Sequence, residues 1–491
     1  MSIDLSKKLG QLFFVGFQGY TLSKQTKEFL QNIQPGGIIF FECNIKDKKQ
    51  VKRLITEVNN CLAIKPFIAV DQEGGSVERL RNICTSVPSI WGLSKVGLKE
   101  LLAGQEIIAN ELLELGFNMV LGPVLDINSN PNNPIIGTRS ISNNPTVVSK
   151  YGLAIVKMFL KYNLIPVIKH FPGHGDLNID SHLGLPVLSK SIEKINDFEL
   201  VPFKNAIKHK APAIMTGHIQ VQCLEKDNKL PASLSKNILQ KLLRNKLNFK
   251  GLIITDELNM KGITSNYSLE DGALKALIAG SNMVLFNLNE KSTTKAFHYI
   301  HKNLDHNKTL KNNIEDSYKR IKAVKNKFLT ELTHKPVLRN NFRISNELAN
   351  KVVHWIKKDF FFKPLHTNDS IEIIFPITSK LQKSDLVRIT QKLNLKRSHL
   401  IEYDLNPSTE NINSILKKLK NQSKKILITY DISVRPKQKS LVKELFFLYS
   451  ELPVISAGLE YDVELIPQIK NFVAAYAPNY TSLLHAFKAL M

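Results

Sequence analysis

Cysteine is scarce in this chain, whose 491 residues include four: Cys43, Cys61, Cys84 and Cys223. None of them belongs to a Cys-x-x-Cys pair, and all four lie in the first half of the sequence. A disulfide framework or a cysteine-based zinc site needs cysteines at regular spacing, so this scarcity argues against both. We therefore expect a protein of a reducing compartment and predict a cytoplasmic location.

Long apolar runs are also missing. No apolar stretch approaches the length of about 18 residues that is needed to cross a bilayer, so we predict no membrane partner. The first ten residues lack the basic segment and apolar core that mark a signal peptide, and none is expected.

Acidic residues are few relative to basic ones, with 43 Asp and Glu against 67 Lys and Arg, a net charge of +24. An excess of this size is typical of proteins that bind nucleic acids or anionic surfaces. However, the basic residues are scattered rather than gathered on one element, which favours a lysine-rich solvated surface. We therefore predict no nucleic-acid partner.

Histidine, by contrast, is concentrated in one stretch. Residues 169–182 read Lys-His-Phe-Pro-Gly-His-Gly-Asp-Leu-Asn-Ile-Asp-Ser-His and follow the apolar run Leu164–Ile168. The proline and glycines exclude a helix, so the pattern predicts a polar loop at the end of a short buried strand. A loop that carries many titratable groups on a rigid scaffold is a usual place for chemistry.

Short apolar runs recur through the first three fifths of the chain, each followed by a polar cluster and most by a helical pattern. They are Leu12–Phe17, Gly37–Phe41, Pro66–Val70, Asn118–Gly122, Pro166–Lys169, Ala213–Thr216, Gly251–Thr255 and Asn282–Phe286, and the helices include Lys99–Leu115, Val147–Tyr162, Leu234–Lys246 and one capped by Ser268. This alternation predicts an α/β fold, a (β/α)8 TIM-like barrel. The strand ends of such a barrel share one mouth, where the polar residues that follow them would converge.

The pattern changes after the barrel. We expect the barrel to occupy residues 1–330, a linker residues 331–345 and a smaller open-sheet α/β sandwich domain residues 346–491. The predicted elements beyond the barrel are helices at Ile314–Phe328, Asn346–Asp359, Asp385–Leu393 and Gln438–Ser450, and strands at Ile371–Ile377, Leu400–Tyr403, Lys425–Tyr430, Pro453–Ala457 and Phe472–Tyr476.

Two carboxylates stand where catalysis could use them. Asp256 ends the predicted strand Leu252–Thr255, a position that suits a nucleophile or a stabiliser of positive charge, but also a simple capping carboxylate. Asp180 precedes His182 by two residues and could fix its tautomer and raise the basicity of its other ring nitrogen. Such a histidine can donate a proton and later accept one.

A metal site is the competing interpretation of the histidine-rich loop, and a purely structural polar loop is another. The acceptable ligand types in it are His170, His174, Asp176, Asp180 and His182. His170 and His174 are four residues apart, but Pro172 and Gly173 prevent the helix that would make this spacing useful. The metal interpretation is therefore the weaker one.

Several further side chains could hold a polar ligand. Asp71 ends a predicted strand and could accept two hydrogen bonds from sugar hydroxyls. Donors that could join it are Arg79, Arg139, Lys169 and His170. Each of these residues alone could equally be a surface or ion-pair residue.

Five motifs, in this order, resemble glycoside hydrolase family 3, and most closely its bacterial β-N-acetylhexosaminidases of the NagZ type. They are Asp71-Gln-Glu-Gly-Gly75, Pro123-Val-Leu-Asp-Ile127, Gly137-Thr-Arg-Ser140, Lys169-His-Phe-Pro-Gly-His-Gly-Asp176 with Asp180-Ser-His182, and Thr255-Asp-Glu-Leu-Asn-Met260. The fourth motif is highly specific.

The resemblance implies that Asp256 is the catalytic nucleophile, His182 the acid/base and Asp180 its dyad partner. It implies that N-acetylglucosamine is bound by Asp71, Arg79, Arg139, Lys169 and His170, without a metal or cofactor. The expected activity is removal of non-reducing β-linked N-acetylglucosamine from muropeptides (GlcNAc-1,6-anhydro-MurNAc) during peptidoglycan recycling, with retention of configuration, by a monomeric enzyme.

The chain departs from the family pattern twice. Ser76 stands where an arginine often follows the two glycines, although the binding arginine falls on Arg79. The chain also continues beyond the barrel, where many of these enzymes end, and residues 454–462 weakly resemble the C-terminal sandwich of two-domain members. No catalytic role is assigned to that region.

Three other functions stay open at this point. A neutral histidine would not repel incoming phosphate, so the chain could be a β-N-acetylglucosaminide phosphorylase. It could also be a non-catalytic protein that binds muropeptides or nucleic acid, or a metal-dependent barrel hydrolase.

Overall fold

The computed structural model describes residues 4–181, 183–329 and 340–491. Its first part is a closed barrel of parallel strands, which confirms the predicted fold class. In chain order they are β1 Phe13–Val15, β2 Gly37–Phe40, β3 Phe67–Val70, β4 Met119–Val120, β5 Ile165–Phe171, β6 Ala213–Thr216, β7 Leu252–Glu257 and β8 Met283–Phe286. Each strand pairs with the next along the chain, and β1 pairs with β8 to close the ring. All eight strands overlap the apolar runs that predicted them.

Helices surround the barrel and continue after it. The α-helices of this part are Leu5–Gly10, Lys24–Ile33, Lys48–Cys61, Ile90–Val96, Leu98–Leu115, Pro145–Lys161, Ile192–Asp197, Val201–Lys208, Lys261–Thr264, Leu269–Ala279, Glu290–Lys302 and Lys308–Phe328. The predicted cap holds, because the Ser268 hydroxyl accepts the Asp271 backbone N–H at 3.1 Å. The helix expected from Leu234 begins at Asn237 and is a π-helix to Lys246, and the helix expected from Ile314 begins earlier, at Lys308.

Two glycines let loops fold tightly over the mouth of the barrel. The strands Gln72–Gly74 and Val77–Glu78 form a small hairpin after β3, and Gly75 at its turn has φ +64°. A Cβ atom on Gly75 would lie 2.7 Å from that of Ser89. In the loop after β5, a Cβ atom on Gly175 would lie 1.7 Å from the carbonyl oxygen of Ile127. Both positions therefore require glycine for the close approach of two loops.

The second part is an open six-stranded sheet. Its strands are β9 His354–Lys357, β10 Ile371–Ile377, β11 Ser398–Asp404, β12 Lys424–Thr429, β13 Pro453–Ser456 and β14 Asn471–Ala474, in the spatial order β9-β14-β13-β12-β10-β11. The accompanying helices are Asn341–Val352, Lys383–Lys392, Thr409–Lys418, Pro436–Leu448 and Tyr480–Leu490. Neighbouring strands are parallel except β9, which pairs antiparallel with β14.

The sequence-based prediction was wrong around β9. A helix was expected at Asn346–Asp359, but the helix runs from Asn341 to Val352 and is followed by the strand His354–Lys357. The helix thus begins inside the stretch predicted as linker, and residues 330–339 of that stretch lie outside the described residues. Leu348 and Val352, four residues apart, do lie in a helix, but the sequence does not show where that helix ends.

The two faces of the second sheet contribute to different apolar cores. Ile374, Leu427 and Val454 belong to a cluster that is continuous with the core of the barrel part. Residues one position along, such as Ile373 and Ile428, pack in a second cluster with the helices Lys383–Lys392 and Tyr480–Leu490. Because strand side chains alternate between faces, one sheet joins the two halves of the molecule.

Polar contacts add to this junction. The Trp91 indole N–H donates to the Glu460 carboxylate at 3.1 Å, and the Lys95 ammonium lies 2.6 Å from the same carboxylate. Asn479 donates to the carbonyl of Val87 at 2.9 Å. In the residues that the structure describes, we find no helix with the length and apolarity needed to traverse a bilayer.

Candidate active site

The carboxyl ends of the barrel strands open into a cavity of about 390 Å³. Seven of the eight residues predicted to act at the site line it: Asp71, Arg79, Arg139, Lys169, His170, Asp180 and Asp256. The eighth, His182, lies outside the described residues. The loops of a parallel barrel therefore bring together side chains that are up to 185 positions apart, as expected from the shared mouth of the strands.

A buried ion-pair network forms one side of the cavity. The Lys169 ammonium, 2% exposed, lies 2.7 Å from Asp71 Oδ1 and 2.6 Å from Glu73 Oε1. Glu73 also accepts two hydrogen bonds from Arg139, from Nε and Nη2, each at 2.9 Å. Two cations thus share the carboxylate of Glu73, and the fork-to-fork geometry fixes the plane of the Arg139 guanidinium.

The charges in this network hold one another ionised. Burial alone would raise the pKa of Glu73, but Arg139 and Lys169 lower it well below its usual range. Burial likewise opposes the charge of Lys169, yet Asp71 and Glu73 leave its pKa raised. The pKa of Arg139 is raised in the same way, by Glu73. The network therefore presents fixed donors and a fixed carboxylate, Asp71, to the cavity.

A buried carboxylate orients His170. Asp126 is fully buried, and its Oδ2 lies 2.6 Å from His170 Nδ1. It also accepts the backbone N–H groups of His170 and of His174, the latter at 2.7 Å. Burial would raise the pKa of Asp126, but the two histidines lower it. Because the Asp126 carboxylate holds Nδ1–H of His170, the Nε2 atom is the ring nitrogen left for a ligand.

Sequence reasoning placed Asp126 and Glu73 in motifs but gave neither a role. The signal was present, because each lies three or four residues beyond a predicted strand on a loop rich in polar groups. What it lacked was distance information: Glu73 meets Arg139 across 66 positions and Asp126 meets His170 across 44.

Asp256 lies near the end of β7, with its carboxylate partly exposed at the cavity. Its Oδ1 accepts the backbone N–H of Glu257 at 2.8 Å. The carbonyl of Glu257 lies 2.8 Å from Nε2 of the buried His218, whose Nδ1 meets the Ser233 hydroxyl at 2.7 Å. His218 therefore holds the end of this strand through the Glu257 carbonyl. The order of strands in the ring places β7 directly opposite β3, which Asp71 follows.

The loop after β5 reaches the same cavity. The Asp180 backbone carbonyl accepts the N–H groups of Leu183 and Gly184 at 2.8 and 3.1 Å. The Ser181 carbonyl accepts the N–H of Gly262, so the loop is also tied to the chain after β7. Asp180 and Asp256 both line the cavity.

His174 and Asp176, the most metal-like members of this loop, serve its packing. The Asp176 carboxylate accepts the Ser129 hydroxyl at 3.1 Å and lies 3.1 Å from the ammonium of Lys190. His174 is buried, its Nε2 lies 3.3 Å from the Ser181 hydroxyl, and burial lowers its pKa to about 4. In residues 4–181, 183–329 and 340–491, no three His, Cys, Asp or Glu side chains are grouped so as to hold a metal ion.

Two contributions to the cavity were not predicted. Glu42, of the loop after β2, lines the cavity and lies 3.5 Å from the guanidinium of Arg79, which stands at the mouth. Ser379 and Lys380, from the second sheet domain, also line the cavity. No sequence signal connects residue 380 with the barrel, because its approach depends on how the two halves pack.

Comparison with known proteins defines the class. The N-terminal domain of glycosyl hydrolase family 3 matches residues 4–324. The chain therefore belongs to glycosyl hydrolase family 3 and is a glycoside hydrolase.

Its relatives include β-hexosaminidase A of Pseudoalteromonas piscicida, 30% identical over 456 residues that cover 82% of this chain and 76% of the relative. The β-hexosaminidase of Photobacterium profundum is 35% identical over 281 residues, 57% of this chain and 82% of the relative. A solved structure of a family 3 β-N-acetylglucosaminidase from Paenibacillus sp. FPU-7 superposes with a TM-score of 0.89 at 28% identity, covering 100% of this chain and 97% of that one.

Proposed function

We propose that this protein is a retaining exo-β-N-acetylglucosaminidase that removes one non-reducing β-linked N-acetylglucosamine through a covalent glycosyl-Asp256 intermediate. One observation carries the proposal: a partly exposed carboxylate, Asp256, faces across the barrel mouth the donor-rich network of Asp71, Lys169 and Arg139. A sugar ring held by the network would present its anomeric carbon to Asp256.

The binding side of the site suits hydroxyl groups. Asp71 offers acceptor oxygens and His170 offers its Nε2 atom, while Lys169 and Arg139 offer donors in fixed positions. Lys169, Arg139 and His170 are held by Glu73 and Asp126, so they keep their geometry without the ligand and lose little entropy on binding it. Arg79 at the mouth adds a more mobile donor, because its side chain is 36% exposed.

Chemistry would proceed in two steps. Asp256 attacks the anomeric carbon while His182, as imidazolium, protonates the departing glycosidic oxygen. The same histidine, now neutral, takes a proton from water, which cleaves the glycosyl-enzyme ester with overall retention of configuration. Asp180 would hold the histidine tautomer, as a carboxylate does in a catalytic triad. The role of His182 rests on the Asp180-Ser181-His182 motif and on the placement of Asp180 at the cavity.

The natural substrate would be a muropeptide such as GlcNAc-1,6-anhydro-MurNAc, cleaved by a monomer in the cytoplasm during peptidoglycan recycling. This finer assignment is supported by the resemblance of the five motifs to the NagZ-type enzymes. The division of the chain into a catalytic barrel, a linker and a C-terminal domain belongs to the same proposal, with the linker ending before Asn341, where the next helix begins.

Trapping of the intermediate tests the assignment. The enzyme would be incubated with 5-fluoro-N-acetylglucosaminyl fluoride, digested and analysed by mass spectrometry. We expect the label on the peptide that contains Asp256, and none after Asp256→Ala. Turnover of a nitrophenyl N-acetylglucosaminide without a label on this peptide would refute the nucleophile. Product analysis in phosphate buffer separates free N-acetylglucosamine, the expected product, from the sugar 1-phosphate that a phosphorylase would release.

A further inference from the structure

Lys380 enters the active-site cavity from outside the barrel. It lies three residues beyond β10, and its backbone carbonyl accepts a hydrogen bond from Arg81 Nη1 at 2.8 Å. Its backbone N–H donates to the Thr378 hydroxyl at 2.9 Å. These contacts tie the β10 loop to the loop after β3, so Lys380 shares the cavity with Arg79 and Arg139.

The groups around the Lys380 ammonium differ from those around Lys169, Arg139 and Arg79. Its Nζ lies 3.3 Å from the Tyr430 hydroxyl and 5.8 Å from the centre of that ring. Among the described residues, no carboxylate lies within ion-pair distance of it, whereas Lys169, Arg139 and Arg79 all have one. Burial, and next the charge of Arg139, lower the pKa of Lys380. An anion brought to this position would relieve both effects.

The position of Lys380 relative to Asp256 follows from the barrel. In a closed ring of eight sequential strands, β3 and β7 are diametrically opposite. Arg81, which binds the Lys380 carbonyl, belongs to the loop after β3, and Asp256 lies on β7. Lys380 therefore stands at the far side of the cavity from Asp256.

Pyranose chemistry identifies what meets Lys380 there. In a pyranose ring the anomeric carbon and C4 are at opposite ends, and C6 projects beyond the ring next to C4. With C1 at Asp256, the end of the sugar that reaches the β3 side carries O4 and the exocyclic O6. A group extending from O6 would be the first to reach the loop that carries Lys380.

We propose that Lys380, with Arg79 and Arg81, forms a subsite for an oxyanion carried on O6 of the non-reducing sugar, so that the enzyme accepts 6-O-sulfated or 6-O-phosphorylated N-acetylglucosaminides. This inference rests on the proposed function, since it takes Asp256 as the group at C1. The second domain then contributes to substrate specificity through Lys380, and residues of the barrel carry out the reaction. Sulfate and phosphate esters present the same array of acceptor oxygens to an ammonium and two guanidiniums.

The test compares 4-nitrophenyl N-acetyl-β-glucosaminide with its 6-O-sulfate and 6-O-phosphate. Wild type, Lys380→Met and Lys380→Arg would be assayed for kcat/KM, with Lys383→Met as the matched control. Lys383 is an exposed lysine of the same domain that pairs with Glu402 at 2.9 Å outside the cavity. Circular dichroism and the Tm of each variant establish that it is folded.

We expect wild type to cleave both 6-O-esters, and the more efficiently cleaved ester identifies the preferred anion. Lys380→Met should lower kcat/KM for the esters by about 10- to 100-fold more than for the neutral substrate, which is the effect of losing a hydrogen bond to a charged group. Lys380→Arg should retain most of the activity on the esters, and Lys383→Met should match wild type on all three substrates.

Three results would overturn the subsite. Wild type could cleave the neutral substrate but neither ester, or Lys380→Met could reduce all three substrates equally, as expected for a lysine that binds hydroxyls or only joins the domains. Third, Lys380→Met could lower kcat/KM for a substrate whose leaving group carries a carboxylate, and not for the 6-O-esters. Lys380 would then bind an anionic aglycone instead of a group on O6. Failure of the proposed function would look different, because wild type would then cleave none of the substrates, or would cleave them independently of Asp256.

Discussion

The carboxylate of Glu73 accepts hydrogen bonds from two guanidinium nitrogens of Arg139, each at 2.9 Å, at one side of the cavity. The same carboxylate is 2.6 Å from Lys169, which also pairs with Asp71 at 2.7 Å, so Glu73 is shared by two cations. Both cations are largely removed from water, because the side chain of Lys169 is 2% and that of Arg139 14% exposed, so each depends on a carboxylate partner. If Arg139 and Lys169 bind the substrate as proposed, Glu73 is the residue that positions both.

Glu73→Gln should damage both stability and substrate binding. Removal of one partner from a buried pair leaves uncompensated charge, and we expect a loss of about 3 kcal/mol in unfolding free energy together with a large rise in KM. Urea unfolding and steady-state kinetics measure the two effects. Glu57→Gln is the control, since Glu57 lies 3.8 Å from Arg53 at the surface. An unchanged KM would show that the cations are held without Glu73.

The contribution of Glu73 to the stability of the protein depends on pH with a defined sign. The folded-state pKa of Glu73 is lower than its ordinary value of 4.5, so the folded protein loses that proton more readily than the unfolded chain. The stabilisation is present above about pH 4.5 and is lost as the pH falls through the folded pKa. Glu73→Gln should therefore reduce the acid sensitivity of unfolding below pH 4.5, and an identical acid slope in both proteins would contradict this.

Asp126→Asn tests the support of His170. The amide keeps the shape of the carboxylate but can accept fewer of the three N–H groups that now converge on it. We expect kcat/KM to fall about 10- to 100-fold, as for loss of a hydrogen bond to a charged group. The double-mutant cycle with His170→Ala is decisive: if Asp126 acts through His170, the second change adds little. Fully multiplicative losses would mean that the two residues act independently.

Much of the fold could be predicted from the sequence, because barrel strands bury both faces and appear as continuous apolar runs such as Ile165–Ile168. The strand His354–Lys357 escaped prediction for the converse reason: it is an edge strand, mostly exposed, and continues the chain from a helix without a proline or glycine. Edge strands carry little burial, so their sequences show little periodicity.

The site was predictable to a different degree. Polar residues at the carboxyl ends of strands, such as Asp71 and Asp256, could be placed at the cavity because such a position is a local property of the sequence. Lys380 could not be found in this way. It stands on a loop of another domain, and its place in the cavity depends on the packing of Ile374, Leu427 and Val454 against the barrel core.

The leaving group should decide how much the enzyme needs His182. A general acid typically contributes 10²- to 10⁴-fold, but only where the departing oxygen is basic enough to require a proton. We expect His182→Ala to reduce kcat/KM for an N-acetylglucosaminyl disaccharide by about 1,000-fold, and for the nitrophenyl substrate by about 10-fold or less. Asp256→Ala should abolish both activities. His209→Ala, at an exposed helix end, is the control, and equal losses on both substrates would remove His182 from the role of acid/base.

His174 should make the stability of the protein depend on pH between 4 and 6.5. Burial lowers its folded-state pKa from 6.5 to about 4, so in this range the unfolded chain binds a proton that the folded protein does not. Stability therefore falls as the pH drops from 6.5 to 4, by up to about 3 kcal/mol for this one group. His485, whose pKa is also lowered by burial to about 4, contributes in the same direction.

The variant His174→Gln keeps a polar atom for the Ser181 hydroxyl and should reduce this dependence of stability on pH, measured by urea unfolding at pH 4.5 and 7. The control His209→Gln, at an exposed position, should leave it unchanged. A wild-type slope in the His174→Gln variant would mean that folding does not shift the pKa of His174.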